Sequence, residues 1–255
     1  MAILPLNDGD ARNDPPRPLM EHLLALRDML IFGAVSWALC VVIALVFSNH
    51  IFGWLQEPLT SYLDSHKVAL AARGPLDGIS SGLQVGFWAG TALSFPLLMF
   101  ALLRFVFPAL TKREKAVLLS ILFIGSVFFI VGVWLAYRET LPVMMETFAA
   151  INRWMGIQSE QYFVPDYVPV VLKTLFAFGL VFQLPLIIFV LGWFGLISSD
   201  GLRQKRRIAI VVAFVLSMLL TPPDPMSQVI MAVPLCLLYE VALWAVWLKE
   251  RALGK

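Results

Sequence analysis

Long apolar runs separated by short charged stretches make up most of this sequence. Hydrophobic residues account for 60% of the chain and charged residues for only 14%, and the mean hydropathy is +0.82. A soluble domain has about a quarter of its residues charged, so this chain has too few charged side chains for that class. We predict an all-α integral membrane protein, because an α-helix satisfies its backbone hydrogen bonds within one segment.

Six apolar runs are candidate transmembrane helices. They cover residues 29–47, 83–107, 116–137, 168–197, 208–220 and 229–239. The fifth run forms only about 20 Å of helix against a hydrocarbon core of roughly 30 Å, and Glu240 interrupts the sixth run at a similar length. We expect these two short helices to thin the adjacent bilayer. Pro96, Pro185 and Pro234 lie within spans and are expected to kink them.

The polar segments define the rest of the organisation. Residues 1–17 are Pro-rich and predict a disordered tail, and residues 18–250 form the transmembrane domain, with folded caps at 48–81 and 138–167 and a short tail at 251–255. On this topology 14 of the 19 lysines and arginines lie on the side of the two termini. The positive-inside rule therefore predicts that both termini are cytoplasmic and both caps periplasmic.

The sequence contains no motif of an enzyme or cofactor site. It has no Gly-rich phosphate loop, zinc motif or catalytic Ser/His/Asp arrangement, and its three histidines have no partner at metal-ligand spacing. Cys40 and Cys236 both fall within apolar runs. The net charge of +2 comes from charges segregated along the chain, so it does not indicate a nucleic-acid partner. We predict no enzymatic activity, no cofactor, no metal and no nucleic-acid partner.

A cationic cluster between the second and third runs contains one acidic residue, Glu114, beside Lys112, Arg113 and Lys115. Such cations are ordinarily topogenic, whereas Glu114 needs a separate explanation. A carboxylate accepts two parallel hydrogen bonds from an arginine, which lysine cannot provide. Glu114 is thus either an ion-paired surface residue or a binding site for arginine.

Several segments resemble, in order along the chain, motifs of the TatC family, the receptor subunit of the twin-arginine protein translocase. HLLALR at 22–27 resembles the family's N-terminal His-Leu-x-Glu-Leu-Arg motif, and FPALTKRE at 107–114 its first cytoplasmic loop. FQLP at 182–185 is similar to the Phe-Glu-x-Pro of its fourth span, and LRQKR at 202–206 to its second cytoplasmic loop. TPPD at 221–224, followed by Ser227 and Gln228, resembles its last periplasmic turn.

The resemblance implies a cupped six-helix protein of the bacterial cytoplasmic (inner) membrane that binds twin-arginine signal peptides at its cytoplasmic face. It implies TatA-type and TatB-type single-span subunits as partners, together with membrane lipid, folded cargo proteins and further copies of the chain. Export would use the proton-motive force without nucleotide or metal. The alternative is a polytopic secondary transporter or channel, which needs polar groups converging at mid-depth; only Gln183 clearly lies there.

The resemblance also assigns candidate signal-peptide contacts. In the family one acidic residue from the N-terminal motif and one from the first loop bind the arginines; Glu114 matches the second, whereas Ala25 replaces the first. Glu21 and Asp28 share a helix face with Ala25 and are candidate substitutes, although Glu21 also fits a solvated face and Asp28 a partner for a neighbouring cation. Arg27 is either a signal-peptide contact or a topogenic charge. Phe105 either packs the apolar part of a signal peptide or is a core or lipid-facing aromatic.

A second set of residues is expected to have structural or partner-contact roles. It comprises Gln183, Pro222, Pro223, Asp224, Gln228 and Glu240. Gln183 replaces the acidic residue of the family's fourth span and needs a hydrogen-bond partner in mid-membrane. Asp224 is expected to cap the last helix. Glu240 lies either at the cytoplasmic boundary, which the short-helix argument favours, or in the interior.

Overall fold

The computed structural model describes residues 19–66, 69–106, 112–157, 161–193, 195–220 and 225–252. Helices fill most of this part of the chain, with two three-residue strands, β1 (Ala69–Ala71) and β2 (Gln161–Phe163). The α-helices are α1 (Leu19–Val46), α2 (Ser48–His66), α3 (Asp77–Val106), α4 (Lys112–Leu135), α5 (Leu141–Trp154), α6 (Val164–Val181), α7 (Leu184–Trp193), α8 (Ser199–Gln204), α9 (Arg206–Leu220) and α10 (Pro225–Ala252). A π-helical turn, Ala136–Thr140, joins α4 to α5.

Five helical stretches in the described part are long and apolar enough to cross a membrane. They are Leu23–Val46, Asp77–Phe105, Leu119–Trp154, Val164–Trp193 and Pro225–Arg251. This confirms the predicted class of a helical membrane protein. The predicted fifth span corresponds to α9, whose 15 residues extend over about 22 Å at 1.5 Å per residue.

The last helix corrects one prediction. We expected a short helix ending near Glu240, but α10 contains 28 residues and is a full-length candidate span. The apolar sequence resumes at Val241 and continues to Leu248. Glu240 does not end the helix, because Arg206 donates a hydrogen bond to its carboxylate at 2.6 Å. The prediction of two short helices was therefore wrong for α10 and right for the length of α9.

The three prolines that we expected to kink spans have different effects. Helices α3 and α10 continue through Pro96 and Pro234 without interruption. The fourth span, in contrast, ends at Val181 and restarts at Leu184, with Pro185 in the first turn of α7. A proline lacks the N–H that the preceding turn needs, so Pro185 favours a new helix start at this point.

Helices α1 and α3 pack closely because α3 has glycines at the contact. A Cβ built on Gly90 would lie 2.4 Å from Cα of Val41, and one on Gly86 would lie 2.3 Å from Cδ2 of Leu45. Small residues of this kind let membrane helices approach backbone to backbone. The indole of Trp37 adds a hydrogen bond across the interface, donating to Oγ1 of Thr91 at 3.0 Å.

One end of the bundle, which we call the cap end, is covered by α2, α5 and the two strands. The strands pair in parallel with Leu70 opposite Tyr162, and Arg73 binds Asp166 at 2.5 Å. The Tyr167 hydroxyl donates to the backbone oxygen of Leu55 at 2.9 Å. The predicted caps at 48–81 and 138–167 are therefore joined to each other, a pairing that the sequence did not indicate.

The principal core lies between the cap helices and the spans. Its centre is formed by side chains with no measurable exposure, contributed by α3, α5, α6 and α10: Val85, Met144, Val168, Val171, Phe178 and Met231. These residues come from three of the predicted apolar runs and, in the case of Met144, from helix α5 of the predicted cap 138–167. The core therefore fixes the relative positions of the spans.

The opposite end, which we call the terminal end, carries the start of α1 and the end of α10. There Lys249 donates to the backbone oxygens of Gly192, at 3.3 Å, and of Trp193, while Glu250 accepts a hydrogen bond from the Ser199 N–H at 3.0 Å. These bonds hold the end of α10 against the α7–α8 junction. The predicted tail at 1–17 lies outside the described residues, and α10 continues two residues into the tail predicted at 251–255, through Arg251 and Ala252.

Candidate functional site

A cleft of about 180 Å³ lies between the start of α1 and the end of α3, at the terminal end. It is lined by Ala25, Asp28, Met29, Phe32, Ala101, Arg104 and Phe105. Phe32, which lines the cleft, also packs against α3, its ring meeting that of Phe100 edge to face at 6.4 Å. The cleft brings together two candidate site residues, Asp28 and Phe105, and the replaced position Ala25.

Asp28 is held by the neighbouring Arg27. The Nε and Nη2 atoms of Arg27 both donate to Oδ1 of Asp28, at 3.0 and 2.8 Å. Both side chains are largely exposed, at 62% and 63%, and an exposed ion pair contributes about 0–1 kcal/mol. Sequence analysis gave ion pairing with a neighbouring cation as the alternative role of Asp28, and this ion pair is present. The pair is weak enough for another arginine to replace Arg27.

The other two candidate acids lie near the helix starts. By its position in the chain, Glu21 belongs to the first turn of α1 and Glu114 to the first turn of α4. The side chains of both residues lie outside the described part, so the roles expected of the two carboxylates stay predictions.

Arg104 is the cleft residue that sequence reasoning missed as a site residue. It lies in the last turn of α3, its side chain is exposed, and it forms no ion pair with a residue that the structure describes. It is one of the 14 lysines and arginines on the side of the two termini, where the positive-inside rule already explains a basic residue. The signal available in the sequence was its place beside Phe105, at the point where an apolar run ends.

Gln183 lies at the break between α6 and α7 and is 4% exposed. Its Nε2 donates to the backbone oxygen of Gly125 in α4 at 3.0 Å, and more weakly to that of Gly179 at 3.4 Å. The expected hydrogen-bond partner is thus a helix backbone. The Oε1 atom is buried and accepts no hydrogen bond from any residue that the structure describes, so only the amide nitrogen of Gln183 has its partners.

Comparison with known proteins identifies the family. Residues 21–234 match the family described as Sec-independent protein translocase protein (TatC). The chain belongs to the TatC family. A TatC protein of Magnetococcus marinus is 32% identical over 89% of this chain and 83% of its own, and one of Aquifex aeolicus is 31% identical over 89% of this chain and 93% of its own. A crystal structure of the twin-arginine translocase receptor TatC in DDM superposes with a TM-score of 0.75, at 30% identity over 88% of this chain and 98% of that one.

Two of the remaining candidate residues, Gln228 and Glu240, lie on α10 of this TatC-family fold. Gln228 of α10 donates from Nε2 to the backbone oxygen of Phe214 in α9 at 3.1 Å, so it ties the two helices near their connection. Pro222, Pro223 and Asp224 lie outside the described residues. The expected capping role of Asp224 stays a prediction.

Glu240 lies level with the first residue of α9, because Arg206 binds it at 2.6 Å. Both side chains are partly exposed, at 46% for Arg206 and 39% for Glu240. This exposure disagrees with a buried position for Glu240, while the continuation of α10 to Ala252 removes the short-helix argument for the boundary, so the depth of Glu240 stays a prediction. Within the described part of this TatC-family chain, no three His, Cys, Asp or Glu residues come close enough to bind a metal ion.

Proposed function

We propose that this chain is the receptor of a twin-arginine translocase, which binds twin-arginine signal peptides at the terminal end and helps to export folded proteins. The observation that carries the proposal is the Arg27–Asp28 contact at the mouth of a cleft that Phe105 lines. It demonstrates that an arginine fork can reach this carboxylate. A peptide arginine would make the same contact by displacing Arg27, with Phe105 packing the apolar part of the peptide.

The proposal includes the topology that the resemblance implies. Six helices, counting α9, would cross the bacterial inner membrane in a cupped bundle with both termini cytoplasmic. The terminal end would then face the cytoplasm, where signal peptides arrive. TatA-type and TatB-type subunits would join further copies of this chain in the complex, and the proton-motive force would drive export without catalysis by this subunit.

A secondary transporter or channel is less well supported. That function needs ionisable or polar groups converging at mid-depth. The buried polar side chain of Gln183 is bonded to the backbone of two helices, which is a structural arrangement. The family match also describes a protein translocase component.

Photo-crosslinking tests the proposal. A photoreactive amino acid at Phe105 should capture a twin-arginine peptide and not its twin-lysine counterpart, because lysine cannot offer a planar pair of donors. Glu114→Gln should reduce capture while leaving the fold intact, and Glu146→Gln, an exposed acid on cap helix α5, is the matched control. Equal capture of both peptides, or equal effects of the two substitutions, would disprove twin-arginine recognition at this end.

A further inference from the structure

The cleft between α1 and α3 has features that a peptide receptor does not require. Its walls are apolar, its rim carries an arginine without an ion-pair partner among the described residues, and it lies where two spans end. We propose that it binds an anionic phospholipid, with an acyl chain between the helices and the phosphate at Arg104. This proposal does not rest on the proposed function, since lipid binding needs neither signal peptides nor Asp28.

The walls suit hydrocarbon. Met29, Phe32, Ala101 and Phe105 line a space of about 180 Å³, while an engineered apolar cavity of about 150 Å³ binds benzene. A few carbons of an acyl chain therefore fit. A free phosphate ion would leave these walls uncovered and gains nothing from them, so the apolar lining favours a lipid over a soluble anion.

The charges at the rim favour an anionic head group. Arg27 already neutralises Asp28, which leaves the Arg104 guanidinium as the uncompensated charge of the cleft. Arginine binds phosphate through two parallel hydrogen bonds. Basic pockets between transmembrane helices are known sites for anionic lipid head groups. A zwitterionic lipid would place its own cation beside Arg104 and bind less well.

The depth of Arg104 agrees with the level of lipid phosphates. The apolar stretch of α3 ends at Phe105 and that of α1 begins at Leu23, so Arg104 and Asp28 lie where the hydrocarbon core gives way to the head-group region. An acyl chain entering the cleft from this level would run toward Phe32 and Ala101. The same lipid would thus meet both the charge and the apolar walls.

Native mass spectrometry tests the site. The full-length chain is released from detergent together with phosphatidylglycerol or with phosphatidylcholine, and the two lipids have identical acyl chains. We expect phosphatidylglycerol to be retained preferentially. Arg104→Gln should reduce that preference roughly fivefold, the effect of one basic residue near an anionic surface. Arg203→Gln is the matched control, because it removes the same charge at the terminal end from a guanidinium lying 5.9 Å above the Trp247 ring.

Variants with larger side chains in the cleft distinguish lipid binding in the cleft from electrostatic attraction of lipid to the protein surface. Ala101→Leu and, independently, Ala25→Leu should weaken retention of both lipids without changing the charge, provided that circular dichroism shows an intact helical fold. Two results would overturn the proposal. One is an equal loss in Arg104→Gln and Arg203→Gln; the other is unchanged retention in whichever filled variants fold.

Discussion

Gly90 of α3 lies directly against the backbone of Val41 in α1: a Cβ at this glycine would be 2.4 Å from the Val41 Cα and 2.8 Å from its backbone nitrogen. Neither atom can move without shifting a helix. The contact also places the two helices that form the walls of the cleft. The absence of one side chain at position 90 therefore determines the geometry of the terminal end as well as the packing at mid-membrane.

Gly90→Ala should lower the free energy of unfolding by about 1–3 kcal/mol, the usual cost of overpacking a tight interface. Gly53→Ala in α2 is the matched control, because its Cβ would meet no atom within 4 Å; it should be neutral or stabilise by about 0.5–1 kcal/mol, since alanine is the better helix former. Thermal unfolding in detergent measures both. Equal midpoints for Gly90→Ala and the unchanged chain would contradict the close contact.

Gln183→Met should leave stability within about 1 kcal/mol of the original chain. The substitution loses the hydrogen bond to Gly125, which contributes about 0.5–1.5 kcal/mol, but also removes a buried oxygen whose missing partner costs about 1–3 kcal/mol. Methionine has a similar length and fills irregular space well. The same thermal assay tests this. A loss as large as that of Gly90→Ala would mean that Oε1 has a partner, such as a bound water.

Sequence reasoning placed an apolar run within each of the five candidate spans of the described part, because a membrane-crossing helix needs about 20 predominantly apolar residues. It failed at Glu240, where we took a charge in an apolar run as the end of a helix. The charge is tolerated because Arg206, 34 positions earlier, lies beside it. A pairing over that distance depends on how α9 and α10 pack, which no local pattern contains.

The candidate site was predictable in part. Asp28 was a candidate contact because it shares a helix face with Ala25, and Phe105 because it is an aromatic residue at the end of a span; the structure puts both in one cleft. Arg104 was missed because a basic residue at the end of a span already has a topogenic explanation. The pairing of β1 with β2 was missed because three-residue strands give too short a pattern to distinguish from a loop.

Helix α9 should thin the bilayer beside it, because about 22 Å of helix cannot match a hydrocarbon core of roughly 30 Å. After replacement of Cys40 and Cys236, single spin labels are attached at four exposed positions of α9: Ile208, Val212, Val215 and Leu219. Collision of each label with oxygen or with an aqueous nickel reagent reports its depth in the bilayer. We expect both end positions to meet the aqueous reagent and only the middle ones to be shielded. Shielding throughout would refute thinning.

The last prediction concerns the carboxylate that stands in for Ala25. If Asp28 accepts a peptide arginine, Asp28→Asn should weaken twin-arginine binding about two- to fivefold, in the range of an exposed ion pair. Glu21→Gln, nearly two turns earlier on α1, should have a smaller effect. Ala25→Glu should strengthen binding, because it places a longer carboxylate in the lining of the same cleft.

Arg27 provides the decisive comparison, because it occupies Asp28 in the free protein. A peptide arginine must displace it, so Arg27→Gln should raise peptide affinity in the original chain and have no such effect when combined with Asp28→Asn. Titration of a fluorescent twin-arginine peptide against all four proteins, with the twin-lysine peptide as control, measures this coupling. Weaker binding in Arg27→Gln would show that Arg27 itself contacts the peptide. If neither Asp28→Asn nor Ala25→Glu changed the affinity, Glu114 would have to act without a carboxylate from α1.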